Sequence, residues 1–151
     1  MHQYRFKRSF SEDTTLSSRL FNLLESAFVG ISRTAESARV LNAPWEEAST
    51  PFVCFEGDLA IAHVGVLELP MIVMGQSMIA GGIHAVCTRP EFRRRGYFRD
   101  CMQEALDYCD RRYNTLVLTT SQPQLYEPFG FRVVKEHAFV AKCASTGYTE
   151  R

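Results

Sequence analysis

The chain has 151 residues, of which 46% are hydrophobic and 23% are charged, so it can bury the core of one globular domain spanning residues 1–151. Its 17 basic and 17 acidic residues give a formal net charge of zero, which argues against nonspecific binding to nucleic acid. No apolar run is long enough to span a membrane, so we expect no membrane partner.

The cysteines and histidines indicate neither disulfides nor a metal site. The five cysteines, at positions 54, 87, 101, 109 and 143, are odd in number and form no Cys-x-x-Cys pair. The four histidines are scattered, and none stands at ligand spacing from a cysteine. The N-terminal residues also lack the apolar core of a signal peptide. We therefore expect reduced thiols, no metal and a cytoplasmic location.

Apolar periodicity in the first half of the chain changes between strand and helix patterns. Residues 4–10 alternate between two faces, as in a half-buried strand. Apolar residues recur at helical spacing from Leu16 to Phe28, and Gly30 is expected to stop that helix. The predicted elements are a strand over 4–10, helices over 16–28 and 34–41, and strands over 51–56 and 59–69, the last of which Pro70 should end.

The second half of the chain predicts a further strand, helix and strand. Residues 83–88, the last part of a strand over 77–88, are largely apolar and β-prone, and Pro90 should end that strand because proline cannot donate to a sheet ladder. Apolar residues at helical spacing follow Gly96. The predicted elements are a fourth strand over 77–88, a helix over 96–112, a fifth strand over 115–120, a helical turn over 124–129, and a final strand or pair of strands over 131–143.

The order of these elements predicts the fold class. Sequential strands joined by short turns favour an antiparallel meander. The strand–helix–strand unit from 83 to 119 favours one parallel pair with a right-handed crossover. We therefore predict an α/β (α+β) fold with a mixed, mostly antiparallel sheet flanked by helices.

An arginine-rich loop lies between the predicted fourth strand and the helix that follows it. It reads Arg93-Arg94-Arg95-Gly96-Tyr97-Phe98, with Arg99 one residue later. The N-terminus of a helix presents unpaired N–H groups and partial positive charge, so it suits a bound anion. Arginine clusters are usually solvated surface, so the prediction of an anion site depends on the order of strand, proline turn, loop and helix.

Two motifs resemble the GNAT family of N-acetyltransferases. The family signature Arg/Gln-x-x-Gly-x-Gly/Ala is matched at Arg93 and Gly96, whereas Phe98 replaces its final small residue. Tyr126-Glu127-Pro128-Phe129-Gly130-Phe131 resembles the Tyr-x-x-x-Gly-Phe segment found near the end of family members. The resemblance implies a sheet that splays at the fourth and fifth strands, with acyl-CoA in the gap.

A closer resemblance points to one group within the family. The triplet Arg93-Arg94-Arg95 before Gly96, the proline-containing loop near residue 70 and the segment 129–131 are similar to the N-terminal GNAT domain of the enhanced-intracellular-survival acetyltransferases. Those proteins are much longer, and a distant domain supplies their C-terminal carboxylate as the base. Their substrates cannot be carried over to this chain.

The family resemblance implies which residues hold acetyl-CoA, the acetyl donor. Main-chain groups of the fourth strand would pair with the amides of the pantetheine arm. The arginine loop would bind the pyrophosphate. Polar residues after the fifth strand would contact the arm or the acetyl group. The implied cofactor-binding residues are Val86, Cys87, Thr88, Arg93, Arg94, Arg95, Gly96, Tyr97, Phe98, Arg99, Ser121 and Gln122.

The resemblance also suggests the catalytic residues. Tyr126 matches the tyrosine that many members place near the cofactor sulfur, where a phenol can protonate the departing thiolate; the alternative is a packed aromatic residue. Several relatives carry a glutamate base at the position of Gly82. His84 lies on the same strand and could serve as base directly or through water, although a lone strand histidine is more often structural. Weaker options for the base are Glu36, Glu46 and Glu68.

The resemblance implies an enzyme that moves an acetyl group from acetyl-CoA to a primary amine of a small molecule or protein, by direct attack in a ternary complex. The alternative is a non-catalytic acyl-CoA-binding or sensor module, which Phe98 and the missing glutamate favour. A nucleic-acid-binding domain that uses the arginine triplet is disfavoured by the zero net charge. If the final strand is missing, a homodimer is expected to cover the open sheet edge; otherwise two short strands within 131–143 close the sheet.

Overall fold

The computed structural model of the chain describes residues 9–137 and 140–141. These residues form two compact units, of which the first ends at Thr119 and the second begins at Thr120. The first unit contains the helices and the sheet, and the second contains two short 3-10 turns. A single domain over residues 1–151 stays a prediction.

The first long helix forms because its apolar residues fall on one face. α1 spans Leu16–Ala27 and buries Leu16, Leu20, Leu23 and Leu24 completely. These side chains form a core with Val53, Phe55 and Ala60 of the sheet. Removing apolar surface from water is worth about 25 cal/mol per Å², so this buried leucine face stabilises the packing of α1 on the sheet. The helical periodicity therefore predicted α1 correctly.

The second helix begins earlier than predicted because of Glu25. α2 spans Ile31–Val40, and Gly30 (φ 87°) stands at its start instead of ending α1. The carboxylate of Glu25 accepts hydrogen bonds from the backbone N–H groups of Gly30 and Ser32, the second over 3.0 Å. These bonds lower the pKa of Glu25 and satisfy donors that the helix itself cannot pair. A four-residue helix, α3 (Trp45–Ala48), was not predicted.

One four-stranded sheet organises the first unit. The meander of its first three strands is antiparallel, and the last pair is parallel, as predicted. The strand order is β1-β2-β3-β4. The strands are β1 (Ser49–Glu56), β2 (Leu59–Val73), β3 (Gln76–Thr88) and β4 (Leu116–Val117).

The prediction that Pro70 ends its strand is wrong. β2 runs through Pro70, which pairs with Ile79 of β3, and ends at Val73 before a turn. β1 begins opposite Leu67, so beyond that residue no described strand flanks β2 on the side away from β3. Proline is tolerated there because its missing N–H would face an open edge. The region near residue 70 is therefore a strand and not a loop.

The sheet splays between β3 and β4, which are the predicted fourth and fifth strands. The two strands pair at two positions only, Gly81 with Leu116 and Gly82 with Val117, although the sequence predicted a strand over 115–120. β3 continues for six residues beyond this contact, to Thr88, and no described strand pairs with it on that side. The predicted splay is confirmed, and it leaves a free edge on β3 from Ile83 to Thr88.

α4 follows the free edge of β3. It spans Tyr97–Asp110, close to the predicted range of 96–112. Its buried face consists of Tyr97, Cys101, Met102, Ala105 and Cys109. The sulfur of Cys101 lies 3.1 Å from that of Cys54 in β1, which places the buried face against the sheet.

Both ends of the predicted strand order fall partly outside the described residues. Most of the strand predicted over 4–10 lies outside the described residues. Residues 9 and 10 are described, and they are not in a strand. Within 131–137 and 140–141 no strand is formed, so the predicted final strand is wrong for those residues. The homodimer expected from an open edge stays a prediction. The predicted turn over 124–129 corresponds to 3-10 turns at Pro123–Leu125 and Glu127–Phe129.

Among the helices of the described ranges, none has the length and apolar character needed to cross a lipid bilayer.

Candidate functional site

A β-bulge interrupts β3 at the middle of its free edge. His63 pairs with Cys87 and Gly65 pairs with His84, so one β2 residue faces two β3 residues, Ala85 and Val86. Ala85 has φ 48°, a left-handed conformation that is unusual for a residue with a side chain. The extra residue breaks the regular ladder and redirects the backbone at this point.

A buried histidine of β2 contacts the bulge. His63 is 1% exposed, and its Nδ1 lies 2.7 Å from the carbonyl oxygen of Ala85. Its Nε2 is buried without a hydrogen-bond partner. Burial lowers the pKa of His63 to about 4, and the nearby His84 adds to the effect. The imidazole is therefore neutral at neutral pH.

His84, the predicted base, sits beside the bulge in a closely fitted environment. Its Nε2 lies 2.8 Å from the Oγ of Ser49, and the ring of Trp45 lies 5.0 Å away between centroids. A Cβ atom at Gly65 would come within 2.6 Å of the same nitrogen. Burial lowers the pKa of His84 to about 4, so its ring is also neutral at neutral pH.

The carboxylates considered as bases make other contacts. Glu46 accepts hydrogen bonds from Ser17 and Arg39, and Glu36 also pairs with Arg39. Glu68 accepts a hydrogen bond from the hydroxyl of Tyr113.

Leucine side chains lie close to Gly82, the position at which the family resemblance puts a glutamate. A Cβ there would lie 2.8 Å from the Cδ1 of Leu69 and 3.0 Å from that of Leu67. A side chain at residue 82 would therefore have to displace the ends of these two leucines.

The arginine loop forms a left-handed turn at the start of α4. Arg94 has φ 60° and Gly96, the N-cap residue, has φ 93°. A Cβ at Gly96 would meet no atom within 4 Å, so the loop faces open space at that point. The first α-helical bond joins the N–H of Asp100 to the carbonyl of Gly96 over 3.0 Å. An anion site at this turn and helix start is compatible with the geometry and stays a prediction.

The residues of the loop differ in what they can offer a ligand. Arg94, Arg95 and Arg99 are exposed. The Nε of Arg93 donates to the carbonyl of Thr88 over 3.2 Å, and so ties the loop to the end of β3. The side chain of Tyr97 is 6% exposed, so a ligand outside the core could meet only its backbone.

The predicted edge residues Val86, Cys87 and Thr88 are all half-buried on β3. Burial raises the pKa of the Cys87 thiol to about 12, and the core cluster beneath α1 packs against this residue. A thiol with this pKa stays protonated at neutral pH and is a poor nucleophile. The thiol is therefore no candidate nucleophile, and the expected contact between a ligand and the main chain of Cys87 stays a prediction.

The remaining predicted residues lie in the second unit. Tyr126 is 8% exposed, its ring packs edge-to-face with Phe131 at 6.1 Å, and burial raises the pKa of its hydroxyl. Ser121 and Gln122 are exposed, and the N–H of Gln122 donates to the hydroxyl of Thr120 over 3.0 Å. Their approach to the residues of β3 stays a prediction.

Comparison with known families decides which family this fold represents. A family model described as an acetyltransferase (GNAT) domain matches residues 12–134. The chain belongs to the GNAT acetyltransferase family. The match includes both motifs that resembled the GNAT family in sequence, and it supports acetyl transfer as the general activity. No curated protein sequence matches this GNAT chain closely enough to count as a relative.

Solved structures share the GNAT fold with this chain at low sequence identity. A conserved protein of Enterococcus faecalis, described as a probable N-acyltransferase of unknown function, has a TM-score of 0.70 and 18% identity over 85% of this chain and 32% of its own. A predicted acetyltransferase from Clostridium acetobutylicum with acetyl-CoA has a TM-score of 0.67 and 17% identity, over 92% of this chain and 96% of its own. Glucosamine-6-phosphate N-acetyltransferase from Arabidopsis thaliana has a TM-score of 0.65 and 16% identity, over 93% of this chain and 99% of its own. At these identities the similarity confirms the fold.

Proposed function

We propose that this GNAT protein transfers an acetyl group from acetyl-CoA to a primary amine, by direct attack in a ternary complex. One structural relationship supports the proposal most strongly. The free edge of β3, from Ile83 to Thr88, leads through the 3-10 turn Pro90–Phe92 into the arginine loop and the start of α4. An extended arm that carries amides suits the edge, and the pyrophosphate suits the helix start.

The arginine loop would hold the cofactor by backbone and side-chain groups together. A helix N-terminus presents N–H groups and a partial positive charge to an anion. The exposed guanidinium groups of Arg94, Arg95 and Arg99 would add charge to the phosphates. The bond from Arg93 to the Thr88 carbonyl fixes the distance between the edge and the loop, which supports one ligand that spans both.

The bulge at Ala85 and Val86 would place and polarise the thioester carbonyl. Backbone N–H groups at a bulge are not committed to a regular ladder, so they are available as donors. Fixed backbone donors are effective at an oxygen that gains negative charge during attack, because they need no reorganisation. The proposal therefore puts the acetyl carbonyl at the bulge and the pantetheine arm along Cys87 and Thr88, with Ser121 and Gln122 as further contacts.

His84 would remove the proton from the attacking nitrogen. A pKa of about 4 makes His84 a weaker base than an ordinary histidine. The nitrogen becomes much more acidic once it has bonded to the carbonyl carbon, so a weak neutral base is adequate at that stage.

Tyr126 would then protonate the departing thiolate, because burial keeps its hydroxyl protonated at neutral pH. We also propose that this domain is similar to the N-terminal domain of the enhanced-intracellular-survival acetyltransferases. This similarity does not identify the amine that accepts the acetyl group.

Thiol release from acetyl-CoA over a panel of primary amines tests the proposal directly. Calorimetry with CoA alone gives binding without chemistry. We expect both CoA binding and amine-dependent thiol release. Binding without release for any amine would instead support the acyl-CoA sensor, and absence of both would contradict the proposed site.

A further inference from the structure

The inference concerns His63, a buried histidine that no motif identified. We propose that His63 is a positioning residue: its hydrogen bond to the carbonyl of Ala85 holds the β3 bulge so that the N–H of Val86 is aimed at the acyl carbonyl of the donor. This inference rests on the proposed function, because it assigns His63 to the same reaction.

The tautomer of His63 follows from its partner. The Nδ1 atom lies 2.7 Å from a backbone carbonyl oxygen, which can only accept a hydrogen bond. Nδ1 therefore carries the proton and donates, and Nε2 carries the lone pair. Nε2 is buried and has no hydrogen-bond partner, so the hydrogen bond to Ala85 is the one that this side chain makes.

Packing alone does not explain a histidine at this position. Its neighbours along β2, Ala62 and Val64, are apolar and fully buried, and His63 itself is 1% exposed. Leucine or valine would be buried there without the cost of removing an imidazole from water. A polar group kept in such surroundings with one partner indicates that the partner matters.

The bulge needs a restraint of this kind. Ala85 adopts φ 48°, which is unfavourable for any residue with a Cβ atom and persists only when surrounding contacts impose it. The bond from His63 acts on the carbonyl of this residue and so restrains the peptide plane that follows it.

That peptide plane also contains the N–H of Val86. The described chain has no cis peptide bond, and in a trans peptide the C=O and N–H groups point in opposite directions. When His63 holds the carbonyl of Ala85, the N–H of Val86 therefore points away from His63. A donor whose direction is fixed before the substrate binds is what stabilisation of a developing oxyanion requires.

The restraint persists across the working pH range. The titratable group that acts on His63 is His84, and burial keeps both rings neutral at neutral pH. A neutral His63 keeps the Nδ1–H donor, so the bond to Ala85 does not depend on small changes of pH.

Two substitutions of similar shape separate the hydrogen bond from packing. His63→Asn places an amide nitrogen at the same number of bonds from Cα as Nδ1, so it can still donate to Ala85. His63→Leu has nearly the same outline as asparagine but no donor, and it suits the apolar surroundings. We expect H63N to keep kcat within about threefold of wild type, and H63L to lose on the order of 10- to 100-fold, as for a misplaced reacting group.

The binding and stability measurements make the test specific. CoA lacks the acyl carbonyl, so its dissociation constant should be similar in H63N, H63L and wild type. Thermal unfolding should show that H63L still folds cooperatively. A folded H63L that binds CoA normally and transfers slowly supports the proposal, whereas equal activity of H63N and H63L would overturn it.

Backbone NMR adds a readout that does not need turnover. The amide resonance of Val86 should shift more with acetyl-CoA than with CoA in wild type and H63N, and the difference should disappear in H63L. A difference that persists unchanged in H63L would overturn the role of His63. A wild type that neither binds CoA nor releases thiol would instead remove the proposed function, and this inference with it.

Discussion

Ser49 of β1 and His84 of β3 form a hydrogen bond across the strand that lies between them. The Oγ and Nε2 atoms are 2.8 Å apart, and β2 separates their two strands in the sheet. Gly65 of β2 pairs directly with His84, and a Cβ at this glycine would lie 2.6 Å from the same Nε2. The two side chains can therefore meet only because residue 65 has no side chain.

Gly65→Ala should displace the imidazole of His84. The backbone of Gly65 has no left-handed φ, so alanine fits the strand itself and the effect is steric. We expect a loss of about 1–3 kcal/mol in the free energy of unfolding, as for other overpacked sites. Transfer activity should fall with it, while the dissociation constant for CoA stays near the wild-type value. Urea unfolding and calorimetry measure both quantities, and an unchanged stability would contradict the close contact.

His84→Gln should slow acetyl transfer without weakening CoA binding. Removing a general base costs on the order of 100-fold in rate. Ser49→Ala is the graded comparison, because it leaves the imidazole in place and removes one hydrogen bond worth about 1 kcal/mol. We expect kcat to decrease in the order wild type, S49A, H84Q under conditions where chemistry limits turnover. A wild-type kcat in H84Q would assign His84 to packing.

The arginine loop can be tested with two matched glycine substitutions. Gly96 (φ 93°) and Gly57 (φ 57°) both adopt left-handed backbones in open space, and Gly57 lies in the turn between β1 and β2. Valine at either position strains the backbone by about 1–3 kcal/mol. G96V should also weaken CoA binding by about tenfold or more, because it obstructs the proposed phosphate site, whereas G57V should not. Equal CoA affinity in the two variants would count against this loop.

The sequence predicted elements whose signal is local. The helical spacing of the leucines in α1 and the glycine before α4 both describe short-range geometry, and both elements formed where expected. Pro70 was misread because its effect depends on whether a neighbouring strand needs its N–H, and β1 does not reach that far. β4 is shorter than its β-prone sequence suggests because strand length depends on the partner, and β3 pairs with it over two residues only.

The candidate site shows the same limit. Gly96 and the arginines stand in a contiguous motif, so the sequence could place them together at the start of a helix. Ser49, His63 and Gly65 contact β3 only through sheet pairing, which one sequence does not reveal. One signal was available: His63 interrupts the apolar run at 59–67, and a polar residue in a buried strand usually serves a specific partner.

The two buried histidines should make the free energy of unfolding decrease at acidic pH. The pKa of His63 and of His84 is lowered by burial from 6.5 to about 4. Between these values the unfolded chain binds more protons than the folded one, so stability is complete above about pH 6.5 and decreases as pH falls towards 4. Each histidine contributes up to about 3 kcal/mol to this loss. Urea unfolding at several pH values should show it, and H63L should flatten the dependence; a wild-type stability constant from pH 7 to pH 4.5 would contradict the assignment.

Tyr126→Phe should lower the rate of acetyl transfer while CoA affinity stays nearly unchanged. The change removes only the hydroxyl, so the packing of the ring against Phe131 is retained. Burial raises the pKa of the Tyr126 hydroxyl, which keeps it protonated and able to give its proton to a departing thiolate. A loss on the order of 100-fold is expected for a general acid. The matched control is Tyr108→Phe, because Tyr108 lies on α4 and packs against Phe52 instead. Equal rates in the two variants, measured where chemistry limits turnover, would assign Tyr126 to packing in the second unit.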